Sequence, residues 1–61
     1  MKVGDMVGYI NGDGHAGLVL GRWLEEQPGI GITETWYEVL WSDGVISEHV
    51  ETRLEKIHER W

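Results

Sequence analysis

The sequence predicts an all-β domain, a small sheet bent into a barrel, and three observations predict it. Residues 36–50 read as a hairpin. Tyr37, Val39 and Trp41 alternate with Trp36, Glu38 and Leu40, the period-2 pattern of a strand, in residue types that strands favour. Ser42-Asp43-Gly44 then supplies a tight reversal, because Asp and Gly tolerate the positive φ of a hairpin turn. Other short apolar runs are set apart by turn signals, with glycines inside them that mark bends or close backbone approach.

The 61 residues form one domain. A chain of this size has a core that supplies only about 3–5 kcal/mol. There is no cysteine, so neither a disulfide framework nor a thiolate metal site can add to it. Four Trp and two Tyr meet part of that need. No cofactor is expected.

The first element spans residues 6–10, with Val7 and Tyr9 on one face and Gly8 as a bend. Asn11-Gly12-Asp13-Gly14 is a turn. A second strand covers 16–23, with apolar residues on both faces and Gly17 and Gly21 as further bends. Residues 24–34 read as a long loop, since Pro28, Gly29 and Gly31 oppose a regular element. Within it, Ile30 and Ile32 either fold back over the barrel end or form an exposed contact tip. Residues 36–41 and 45–50 are the hairpin strands. The tail has two readings. Val50, Leu54, Ile57 and Trp61 follow helical spacing. Against that, Glu51/Glu55, Glu55/Glu59 and Lys56/Arg60 set like charges at i,i+4. The alternative is a 3-10 turn at 51–53, Leu54 as a core plug and a strand at 55–58 that closes against the first.

The order of elements resembles a known family. Val-Gly-Asp-Met-Val-Gly-Tyr at 3–9, Gly-Leu-Val-Leu at 17–20, Tyr-Glu-Val-Leu-Trp-Ser-Asp-Gly at 37–44 and Leu-Glu-Lys-Ile at 54–57 resemble SH3-like barrels of the Tudor and KOW type. The chain is also similar to short single-barrel proteins of marine cyanobacterial tailed phages. The resemblance covers all but the 24–34 loop and the last four residues. It implies a five-stranded, strongly bent barrel with a 3-10 turn before the last strand, and it favours the second reading of the tail. It implies little about activity, because that barrel hosts many binding roles.

Charge narrows the partners. The net charge is −6, and residues 25–61 carry all of it. Nucleic-acid binders show the opposite sign, so nucleic acid is an unlikely partner, and anionic lipid is repelled in the same way. The charge keeps a small aromatic-rich domain soluble. No apolar run approaches the roughly 20 residues of a membrane span, and the opening residues lack the apolar core of a signal peptide. With no cysteine, a cytoplasmic location is expected, that of the host cell for a phage-encoded chain.

No catalytic constellation emerges. Gly12-x-Gly14-x-x-Gly17 matches the letter of nucleotide motifs, but a strand follows it where a dinucleotide fold needs a helix. His15, His49 and His58 lack metal-ligand spacing, and Asp13 with His15 makes only two ligands. Ser42-Asp43 with His49 reads as a turn beside a surface histidine. The expected function is a non-enzymatic interaction module for a protein partner. Its contact residues are Trp23, Trp36, Ile30 and Ile32. A symmetric homo-oligomer through the same patch is also expected, because it would cover the aromatics. The alternative is nucleic-acid binding, or a cationic side chain held by the Tudor-type aromatic cage. By resemblance that cage would use Tyr9, Tyr37, Trp41 and Asp43. Tyr37 and Trp41 share a face with Val39, so core packing is their competing role.

Overall fold

Alternation becomes strands where one face can be buried, and the computed structural model has five of them. It describes residues 1–12 and 14–57. In chain order they are β1 (Met6–Tyr9), β2 (Gly17–Gln27), β3 (Ile32–Trp41), β4 (Ile46–Val50) and β5 (Leu54–Lys56), with a 3-10 turn at Glu51–Arg53 between the last two. All pairings are antiparallel, in one sheet of order β4-β3-β2-β1-β5. No pairing joins β4 to β5 among the described residues, so the sheet is not closed.

The inward face holds the core. Val7, Val19, Tyr37, Val39, Trp41 and Leu54 are buried, and Met1 and Tyr9 pack against them. Gly17 is required by this packing. A methyl group there would collide with Val39 Cγ1 and come within 2.9 Å of Trp41 Cε3. The 3-10 turn drops Leu54 into the core and delivers β5 to β1, where Tyr9 pairs with Leu54 and Val7 with Lys56. The tail thus follows the turn-plus-strand reading as far as residue 57. His58 and Trp61 lie outside the described residues, as does Asp13.

The 24–34 stretch is not a long loop. β2 continues to Gln27, β3 begins at Ile32, and only residues 28–31 turn, with Gly29 and Gly31 at positive φ. Backbone pairing overrides composition here: Leu24 pairs with Thr35, Glu25 with Glu34, Glu26 with Thr33 and Gln27 with Ile32. Because β1 pairs only with Gly17 and Leu18 of β2, and β4 reaches only to Trp36 of β3, the far half of this hairpin is a two-stranded ribbon. It lengthens the molecule to 44 × 21 × 20 Å. Ile30 and Ile32 are 65 % and 50 % exposed, so they do not fold back over the core.

A β-bulge sets the register. Val19 pairs with Val39 and Gly21 with Glu38, which leaves Leu20 without an opposite residue. A bulge bends its strand and raises the local twist. It also fixes which β2 residues share a face with Trp36.

Candidate functional site

Two places gather chemically distinctive side chains. The first is the end of the core where β1, β3 and β4 meet. Tyr9 and Trp41 come there because both occupy inward positions of their strands. Their rings stack, with centroids 4.5 Å apart and planes 16° apart, and His49 packs edge-on against both. Trp41 Nε1 donates to Ser47 Oγ at 2.7 Å. Ser47 Oγ lies 2.7 Å from His49 Nε2, and the Tyr9 hydroxyl lies 3.2 Å from the same nitrogen. Ser47 Oγ accepts from Trp41 and shares a second hydrogen bond with His49 Nε2, whose direction is set by the tautomer of the ring. Burial lowers the pKa of His49 below 6.5, in keeping with a neutral ring.

This network has the partial look of a nucleophile and its base, with Ser47 in place of the Ser42 and Asp43 that flank the turn. The rest of that machinery is missing among the described residues. Both hydrogen bonds of His49 run through Nε2, among the described residues none is seen at Nδ1 to orient the ring, and Ser47 Oγ is already engaged by the Trp41 N–H. Asp43 is engaged elsewhere, accepting the Val45 amide at 3.0 Å, which shapes the turn. The network ties Tyr9 and Trp41 to Ser47 and His49 of β4.

The four cage positions separate. Tyr37 is buried, and its hydroxyl donates to Met1 O at 3.4 Å and Glu51 Oε1 at 3.3 Å, which makes it a core residue. Tyr9, Trp41 and Asp43 do line one hollow of about 230 Å³, together with His15, Val45 and Ser47. Tyr9 and Trp41 cover one face of each other there, so they do not stand apart around an open centre. Among the described residues no group of three His, Asp or Glu side chains comes together to hold a metal. No helix among them is long and apolar enough to cross a membrane.

The second place is the outward face of the sheet. Residues opposite one another across a ladder share a face, so the register groups this face into rows. Met6, Leu18, Leu40 and Ile46 form an apolar row across four strands. Leu18 and Ile46 are 40 % and 57 % exposed, and Met6, Leu18 and Leu40 line a shallow groove of about 310 Å³. The next row is Gly21, Glu38 and Glu48. Then come Trp23, Trp36 and Val50, all half-buried, and finally Glu25 opposite Glu34. Trp23 and Trp36 are thus neighbours on one face, though neither stands out as a fully exposed ring. Nε1 of Trp36 is buried with no partner among the described residues.

Sequence reasoning named Trp23 and Trp36, which the register sets opposite one another, but not the apolar row. Its signal, Leu18 and Leu40 as outward residues of clear strands, was readable, but their alignment with Met6 and Ile46 depends on pairings between distant segments. Ile30 and Ile32, the other two expected contact residues, sit at the ribbon tip, away from the apolar row. Compared with family models, curated proteins and solved structures, the chain matches none.

Proposed function

We propose that this chain is an SH3-like small barrel that acts as a non-enzymatic interaction module for a protein partner. The strand order, the antiparallel ladders and the 3-10 turn before β5 support the fold reading. The contact surface is the outward sheet face around Trp23 and Trp36, extended by Ile30 and Ile32 on the ribbon. One observation carries this reading: the aromatic pair lies on the face opposite the core, and the ribbon that continues it leaves Leu24, Ile30 and Ile32 exposed. Half-buried tryptophans on a rigid ladder offer contact area at low entropic cost. The test is capture of partners on the immobilised chain with a Trp23→Ala control. The reading expects a partner whose retention drops with Trp23→Ala; a partner set indifferent to it overturns the assignment of this face.

A second reading rests on the hollow shared by Tyr9, Trp41 and Asp43. There the Asp43 carboxylate would pair with a methylated Lys or Arg side chain beside the two rings, and attraction to the rings themselves acts only at a face that the Tyr9–Trp41 stack leaves uncovered. Titration with a trimethyl-lysine peptide, read at the Trp41 indole N–H by NMR, tests it. Nucleic acid is disfavoured by the −6 charge.

A further inference from the structure

The rows of the outward face repeat in a definite order, and the order specifies a ligand. Along β3 the face presents Leu40, Glu38, Trp36 and Glu34, so apolar and acidic rows alternate every second residue. Two residues along a strand are about 6.8 Å, so the four rows span about 20 Å. At strand positions of this face, β2, β3 and β4 contribute Glu25, Glu34, Glu38 and Glu48 and no Lys or Arg; Arg22 falls opposite Tyr37, on the other face. Moreover, the acids stand in pairs, Glu25 opposite Glu34 and Glu38 opposite Glu48. Like charges directly opposite across a ladder are destabilising. The chain alone thus holds two unfavourable pairs that a cation placed above each would relieve.

We infer that this face binds an extended segment of a partner protein in which apolar and basic residues alternate at every second position. The inference rests on the assignment of this face as the contact surface. An extended chain has the same 6.8 Å repeat as the rows, so its downward side chains fall in step: apolar on the Leu18/Leu40 row, Lys or Arg over Glu38/Glu48, apolar on Trp23/Trp36, Lys or Arg over Glu25/Glu34. A helix rises about 1.5 Å per residue and drifts off a straight line of rows. A second copy is a poor occupant, because its own face would bring the same carboxylates and no cation. Phosphate is excluded by sign.

The probe is a synthetic peptide, Thr-Val-Thr-Lys-Thr-Val-Thr-Lys-Thr, titrated into the isotope-labelled chain and followed by NMR. The expected result is saturable shifts confined to the outward rows of β2, β3 and β4, with affinity on the order of 1 mM. A peptide of the same composition with its lysines adjacent should bind at least about fivefold more weakly, because only one row can be matched. The double variant Glu38→Lys/Glu48→Lys should weaken the alternating peptide at least about tenfold. It keeps like charges opposite one another, so its thermal unfolding should stay near that of the original chain. The inference is overturned by equal binding of the two peptides, by shifts centred on Tyr9 and Arg53, by absence of binding, or by sedimentation showing that the chain alone dimerises through this face. If captured partners depend on Trp23 but not on Glu38 and Glu48, the contact face stands and the basic-strand ligand falls.

Discussion

The phenol of Tyr9 lies flat on the indole of Trp41, 4.5 Å between centroids, although 31 residues separate the two in the chain. The stack joins β1 to the end of β3 and gives His49 and Ser47 a surface to pack on. A stacked aromatic pair contributes about 0.5–1.5 kcal/mol beyond its buried area. Tyr9→Leu should therefore destabilise by about 1–3 kcal/mol. Tyr9→Phe keeps the stack and loses only the hydroxyl contact with His49, so its cost should stay below about 1 kcal/mol. Urea denaturation of the two variants checks the ordering.

Gly17 and Gly44 are needed for different reasons, and substitutions should separate them. At Gly17 the obstacle is side-chain volume, since Val39 and Trp41 fill the space of a Cβ. Gly17→Ala should cost about 1–3 kcal/mol by overpacking, with further loss on enlargement to Val. At Gly44 nothing lies within 4 Å, but φ is +88°. There the cost is backbone strain, about 1–2 kcal/mol for Gly44→Val, and Gly44→Asn should recover much of it because Asn tolerates the left-handed region. Equal denaturation midpoints for Gly44→Val and the original chain would refute the turn geometry.

Trp36 carries a buried indole N–H that nothing among the described residues accepts. An unmade hydrogen bond of that kind costs about 1–3 kcal/mol. Trp36→Phe removes the orphan donor and roughly 40 Å² of apolar contact, worth about 1 kcal/mol. The two changes offset, so Trp36→Phe should fold with stability within about 1 kcal/mol of the original, unlike most large-to-small aromatic changes. A loss above about 3 kcal/mol would mean that the nitrogen is paired in solution, by water or by a neighbour.

His49 predicts a pH dependence. Its pKa is lowered in the fold by burial, so between that value and 6.5 the unfolded chain binds more protons. Stability from this group is complete above about 6.5 and is lost as pH falls through the folded pKa. Asp5 acts in a lower window. The amide hydrogen bond from Lys2 lowers its pKa below 3.8 against the opposing effect of burial, and the Lys56 ammonium at 3.6 Å assists. Its share is present above 3.8 and is lost as pH falls below that. Thermal unfolding from pH 8 to 5 should show a decline that His49→Gln flattens, with the region below pH 4 unchanged by that substitution.

The legible parts of this fold were those where local pattern and burial agree. Tyr37, Val39 and Trp41 announce β3 because all three face the core. Leu54 was placed in the core through the resemblance to SH3-like barrels, with the like charges at i,i+4 only adding weight against a helix. The ribbon was misread for a physical reason. Glu25, Glu26 and Gln27 are poor strand formers, and Pro28 signals a break, yet cross-strand backbone bonds hold them extended without any core to pack on. The bulge at Leu20 has no signature apart from Gly21, and it decides the face on which Trp23 falls. The network of Tyr9, Ser47 and His49 was half visible. Ser47 and His49 share a face by spacing, but Tyr9 joins them only through the order in which the strands pair.

That order also governs how the chain comes to be folded. β1 lies between β2, its neighbour in sequence, and β5, which follows only after the ribbon, the second hairpin and the 3-10 turn. The hairpins β2–β3 and β3–β4 can zip from their turns early, within microseconds. β1 has no such route to its second partner, and Val7 must wait for Lys56 to arrive from the far side of the molecule. Loop closure of that length is paid in entropy before any contact rewards it, which places folding in the millisecond-to-second range of topologies rich in distant pairings. During synthesis, β1 therefore emerges long before its second partner exists. Until β5 follows, the inward side of Tyr9 and Val7 stays open to other chains in the same state.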